Sequence, residues 1–216
     1  MVDRRTYETP HGPGHILQRR ATRPWAALVL THGAGGGIDA HELDALSRRL
    51  PAMGISVALV ELPWKVAGKK IAPAPRILDE SFVALANHLR PQSPLIVGGR
   101  SAGARVACRT GRGLGAVGVV ALAFPLHPPG RPEKSRADEI GAARLPVLVV
   151  QGELDAFGTP SEFAAGTSIV RVPAADHALR VARTAAVSQE ETMTTIVDEV
   201  HTWIATRLGR STSGNK

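Results

Sequence analysis

The chain predicts a doubly wound, mostly parallel α/β sheet with helices on both faces and no large cap domain. Three observations carry this. Short apolar runs such as 26–31 (AALVLT), 55–61 (ISVALVE) and 146–151 (PVLVVQ) read as strands covered on both sides rather than half-wet ones. Amphipathic stretches separate them, and right-handed crossovers then place helices on both faces. With no internal repeat and no linker that would split it, the chain is expected to form one domain over 1–208. The segment 209–216 (GRSTSGNK) reads as a loose polar tail.

The elements follow in order. Residues 1–25 are expected to add an antiparallel pair, with 14–20 the better strand. After strand 26–31 comes a glycine-rich turn, 32–37 (HGAGGG), then a helix over 39–53 with Leu43, Leu46 and Leu50 on one face. Asp39 and Glu42 have capping-box spacing, and Gly54 stops the helix. Strand 55–61 leads to a basic, proline-containing loop, 63–75. A helix over 76–89 aligns Leu78, Phe82, Leu85 and Leu89. A short buried strand, 94–98, runs into a turn and a helix over about 102–110. Strand 115–124 is followed by a long loop, 125–144, with one helical turn. Strand 146–151 precedes a short helix, 159–165, started by Thr159, Pro160 and Glu162. The last strand is 168–172. The last helix is 188–208, with Met193, Ile196, Val197, Val200, Ile204 and Leu208 on its apolar side.

Composition narrows the function. Hydrophobic residues make up 44% and charged residues 21%, which supports a sizeable core rather than a disordered chain. The net charge of +7 is scattered, and aromatics are only 4%, so stacking platforms for single-stranded nucleic acid are scarce. The longest apolar stretches fall well short of the roughly 20 residues a membrane span needs. One cysteine, Cys108, excludes a disulfide framework and multi-cysteine metal sites. Placed on the inner side of its helix, it reads as a small core residue rather than a nucleophile. The histidines show no metal-ligand spacing. A cytoplasmic protein without metal, cofactor or membrane partner is expected, since the first 15 residues carry no apolar run after their charges.

In an open parallel sheet, sites form just beyond the carboxyl ends of the strands. After strand 94–98 stands Gly99-Arg100-Ser101-Ala102-Gly103, a G-x-S-x-G motif between strand and helix. That context lifts the serine hydroxyl on a tight turn, and glycines at both ends avoid steric clash. A serine nucleophile needs a base, and the base needs an orienting acid. Asp155 follows strand 146–151 and His177 follows strand 168–172. Asp155 is preferred to its neighbours: Glu153 precedes the loop apex, and Asp176 abuts the histidine and points away from its ring. The loop opened by Pro125-Leu126-His127 has no carboxylate nearby. An oxyanion hole is expected from the backbone N–H groups of Ala34, in the glycine-rich turn, and Ala102, beside the nucleophile. Read as a dinucleotide fingerprint, the same turn fails, because Ile38 stands where a third glycine is needed. His32, Gly33, Arg100 and His127 are candidate substrate-lining residues. For His127, bracing its own loop is the favoured alternative. Lys65, Lys69, Lys70 and Arg76 form a basic stretch that would greet an anionic substrate, or more simply a solvated loop.

These residues resemble the α/β-hydrolase superfamily. They are similar in particular to the small, dienelactone-hydrolase-related branch typified by testis-expressed protein 30 and subunit three of the non-specific lethal chromatin complex. The similar segments are THGAGGG (31–37), VELPW (60–64), GGRSAGARVA (98–107), AFPLHPPGRPEK (123–134), QGELDAFGT (151–159) and ADHAL (175–179). Ala104 departs from the glycine that many relatives have there. The resemblance implies a lidless hydrolase core and a Ser–Asp–His triad on Ser101, Asp155 and His177. It names no substrate.

The expectation is a serine hydrolase acting on a small-molecule carboxylic ester or related acyl compound, small or exposed rather than a long lipid. The rival is a binding or scaffold protein that keeps the fold, motivated by the basic charge and the chromatin-linked relatives. A third reading, nucleic-acid binding, would require steeply salt-dependent association.

Overall fold

A computed structural model describes residues 2–89 and 91–210. From 211 onward the expected tail lies outside the described residues. The elements are β1 (Val2–Thr9), β2 (Gly12–Arg19), β3 (Ala26–Thr31), α1 (His41–Arg49), β4 (Ile55–Glu61), α2 (Pro63–Val66), α3 (Pro75–Ala86), β5 (Leu95–Arg100), α4 (Ala102–Thr110), β6 (Gly118–Leu122), α5 (Ala137–Ala142), β7 (Val147–Gly152), β8 (Ser168–Val172) and α6 (Gln189–Arg207).

The eight described strands form one sheet in the order β1-β2-β4-β3-β5-β6-β7-β8. The β1–β2 and β2–β4 pairs are antiparallel and all others parallel. Register brings the carboxyl ends level: Thr31 pairs with Gly99, Arg100 with Leu122, and Gly152 with Val172. The residues that follow β3, β5, β7 and β8 therefore gather along one edge.

Strand side chains alternate between two apolar layers, as the pleat requires. Leu28, Leu30, Val120 and Leu122 pack toward Leu43 and Leu46 of α1 and Ile196 and Val200 of α6. Val29, Val97, Val119 and Ala121 pack toward Phe82 and Leu85 of α3 and Val106 of α4. Both faces are thus covered, which is why these strands read as continuous apolar runs.

Several local expectations change. The capping box on Asp39 and Glu42 does not form: Ala40 is the N-cap without a side-chain bond, and α1 starts at His41. Glu42 is buried instead. Pro51 tightens the end of that helix into a 3₁₀ turn, Leu50–Met53, and Gly54 ends it at φ +84°. The helix expected over 159–165 is only a 3₁₀ turn, Pro160–Glu162, although its capping box is present. The loop 63–75 opens with the helical turn α2, and α5 supplies the turn expected within 125–144. Ion pairs fasten α5: Glu139 faces Arg105 and Arg109 of α4, and Arg109 also grips Asp79 of α3.

Candidate active site

β5 ends at Arg100 and α4 begins at Ala102, leaving Ser101 to make the whole turn at φ 52° and ψ −114°. This is a left-handed conformation that a non-glycine residue adopts only where its surroundings enforce it. The Ser101 N–H donates to the Leu122 carbonyl at 2.9 Å, which holds the turn on the neighbouring strand. A Cβ at Gly99 would lie 2.6 Å from the Gly103 carbonyl carbon. One at Gly103 would lie 2.6 Å from the Thr31 oxygen. Both glycines of the motif are therefore steric requirements.

The loops after β7 and β8 complete the arrangement. His177 Nε2 stands 2.9 Å from Ser101 Oγ. Its Nδ1 stands 2.8 Å from Asp155 Oδ2 and 2.9 Å from Oδ1. Asp155 is buried, and two further donors satisfy it: Gln151 Nε2 at 2.8 Å on Oδ2 and the Phe157 N–H at 2.8 Å on Oδ1. The Phe157 ring lies on the imidazole, centroids 4.1 Å apart. The other nearby carboxylates turn to their own loops. Asp176 accepts from the N–H groups of Ala178 and Arg180, and Glu153 faces the Ala174 N–H. With an acceptor on Nδ1, the imidazole carries its proton there and offers a lone pair on Nε2 to the hydroxyl.

A family model described as an alpha/beta hydrolase domain matches residues 24–205. The chain belongs to the alpha/beta hydrolase domain family. Solved structures agree on the fold of this hydrolase domain. A serine hydrolase without a lid from Xanthomonas campestris is 18% identical, with a TM-score of 0.71 over 94% of each chain. Dienelactone hydrolase from Anabaena variabilis is 14% identical, with a TM-score of 0.71 over 95% of this chain and 97% of that one. An esterase domain from Rhodothermus marinus is 16% identical, with a TM-score of 0.69 over 96% and 99%.

The remaining candidates of the hydrolase domain fall into two groups. Gly33 presses against the serine turn, where a Cβ would sit 3.2 Å from Ser101 Cβ. Ala34 and Ala102 border one crevice beside it. The Ala102 N–H belongs to the first turn of α4, whose donors have no partner within the helix. His32 is turned inward and buried. Its Nδ1 lies 2.9 Å from the Gly33 carbonyl and its Nε2 accepts from the Leu62 N–H at 3.1 Å. Both ring nitrogens are engaged, and burial pushes its pKa down, so it braces the glycine-rich turn. His127 is likewise engaged on both sides, by the Pro128 carbonyl and Glu162, each at 2.9 Å. That is the bracing alternative.

Arg100 joins several loops. Its Nη2 donates to the His177 carbonyl at 3.2 Å, and its Nε lies 3.0 Å from Glu42 Oε1. The Glu42 side chain is 1% exposed. Burial pushes its carboxyl up against the opposing pull of Arg100. Gln151, Phe157 and Glu42 are the participants that sequence reasoning missed. Gln151 carried a signal, as the one polar residue closing the strand PVLVVQ. Among the described residues no cluster of three or more His, Cys, Asp or Glu could hold a metal, and no helix is long and apolar enough to cross a membrane.

Proposed function

We propose that the chain is a serine hydrolase that cleaves a carboxylic ester or related acyl bond through an acyl-enzyme. The observation that carries this is the unbroken chain from Ser101 Oγ through His177 to buried Asp155, with contacts of 2.9 and 2.8 Å. Ser101 Oγ attacks the carbonyl carbon while His177 Nε2 takes its proton. Asp155 holds the Nδ1–H tautomer and stabilises the imidazolium. The oxyanion is received by the N–H groups of Ala34 and Ala102, a contribution typically about 3 kcal/mol per donor. His177 then passes its proton to the departing alcohol. Water repeats the steps on the acyl-serine and frees the acid. The reaction needs no cofactor.

Membership of the alpha/beta hydrolase domain family supports this reading. The substrate is a small acyl compound. The single cysteine, buried in α4, fits a reducing compartment, the cytoplasm.

A fluorophosphonate probe tests the proposal, because it labels only a serine made nucleophilic by its surroundings. Wild type is expected to be labelled at Ser101, with the site located by peptide mass spectrometry, and Ser101→Ala to stay unlabelled. Equal labelling of the two proteins would overturn the assignment.

A further inference from the structure

Resting on the serine-hydrolase reading, we infer that the site takes esters of short acyl chains, of the acetyl class, and that Trp64 and Leu78 set the limit. The reason lies in the two flanks of the Ser101 turn, which refuse a long alkyl chain for different reasons.

On one flank, an apolar crevice runs from Ala34 and Ala102 to Leu62, Trp64, Leu78 and Val106, and it leaves no volume that a water molecule could occupy. All four larger side chains are buried. Trp64, Leu78 and Val106 belong to α2, α3 and α4, and Leu62 directly follows β4, so this wall is anchored in regular structure. Trp64 is held further by the His32 ring, centroids 5.6 Å apart, and by the Lys65 ammonium 5.9 Å from its own centroid. An acyl carbonyl seated between the N–H groups of Ala34 and Ala102 would bring its first carbon to the mouth of this crevice. Each further carbon would have to push Trp64 or Leu78 aside, and packed interiors resist added methylenes.

The other flank has room but the wrong chemistry. A cleft of about 300 Å³ is lined by Gly35 to Gly37, Asp39, Arg100 and Arg180. An alkyl chain laid there would strip water from charged groups and give nothing in return. A polar alcohol portion fits the cleft, so the bulk of the substrate belongs on that side. A long chain is thus shut out by shape in one direction and by charge in the other.

The test is a p-nitrophenyl ester series, acetate, butyrate and octanoate, which changes the acyl chain and keeps one leaving group. For wild type, kcat/KM is expected to fall at least about tenfold from acetate to butyrate, the scale on which a pocket senses added methylenes, and further at octanoate. Trp64→Ala and Leu78→Ala are each expected to narrow the acetate-to-octanoate ratio about tenfold. Folding of both is checked by thermal melting. If Trp64→Ala fails to fold, Leu78→Ala, the smaller deletion, decides. Equal wild-type rates on acetate and octanoate, with Ser101 labelled by the fluorophosphonate, would overturn this inference alone. So would an unchanged ratio in the folded variants. No labelling and no acetate turnover would overturn the serine-hydrolase reading and this inference with it.

Discussion

His177 and His127 both sit in loops beyond the carboxyl ends of parallel strands, and each meets a carboxylate, Asp155 at 2.8 Å and Glu162 at 2.9 Å. They differ in what the second ring nitrogen faces. For His177 it is the Ser101 hydroxyl, which can donate. For His127 it is the Pro128 carbonyl, which can only accept. Two acceptors favour a ring with two protons, and the His127 pKa is accordingly raised, first by Pro128 and then by Glu162. One acceptor and one potential donor leave His177 Nε2 placed to accept a proton from the hydroxyl, as a general base must. The carboxylates differ too. The Asp155 side chain is fully covered, whereas that of Glu162 is 39% exposed. A histidine beside an acid is therefore no site in itself. The group at its far nitrogen decides.

The severest way to break this contrast is to remove the acceptor behind each ring. Asp155→Asn puts an amide beside Nδ1 and favours the wrong tautomer, so kcat on p-nitrophenyl acetate should drop by about 10⁴. Glu162→Gln should change it less than about threefold, because the carboxylate serves His127, whose other ring nitrogen faces the Pro128 carbonyl rather than the Ser101 hydroxyl. Comparable losses in the two variants would mean that the hydroxyl contact does not distinguish the histidines.

The buried tie behind His177 sharpens the comparison next. Arg100 and Glu42 lie 3.0 Å apart, with Arg100 reaching the His177 carbonyl. Glu42→Leu leaves the Arg100 guanidinium, 12% exposed, with the His177 carbonyl as its remaining partner, and breaking a buried pair costs up to about 3–5 kcal/mol. Glu42→Leu should lower stability on that scale in denaturant unfolding. Replacing both, Glu42→Leu with Arg100→Leu, should recover most of it, since apolar packing substitutes well for a buried ion pair. Activity should stay about tenfold down in the double variant, a misplacement effect on the imidazole. Full recovery of activity would limit the pair to a structural role.

These two sites also show how far the sequence could be read. Ser101, Asp155 and His177 were legible because each follows an apolar strand, and a parallel sheet aligns the ends of its strands. The capping box of Thr159 and Glu162 was legible because its bonds are local. Asp39 and Glu42 show the same spacing, yet no cap forms there. The partner that claims Glu42 is Arg100, on a strand that neighbours it only in the folded chain. Phe157 gave no sign of itself, since stacking on His177 depends on how the loop after β7 turns. His127 was ambiguous for the same reason: its environment is made by Glu162, beyond another strand.

The smallest expected effect isolates the bracing histidine through pH. The folded pKa of His127 lies above its ordinary 6.5. Its contribution is therefore complete below pH 6.5 and is lost as pH rises through the raised folded value. Glu162 behaves in the opposite sense. Its pKa lies below the ordinary 4.5, held down first by the Thr159 N–H and then by His127, so its share is present above 4.5 and fades as pH falls through the folded value. The pair is thus strongest between pH 4.5 and 6.5. His32, lowered by burial, costs stability as pH drops below 6.5, but it is common to wild type and variant and cancels between them. The melting temperature of wild type should exceed that of His127→Gln most at pH 5.5, by the equivalent of about 0.5 kcal/mol, and the gap should shrink by pH 8. A gap that widened with pH would mean that His127 is held neutral, against the two acceptors that face its ring.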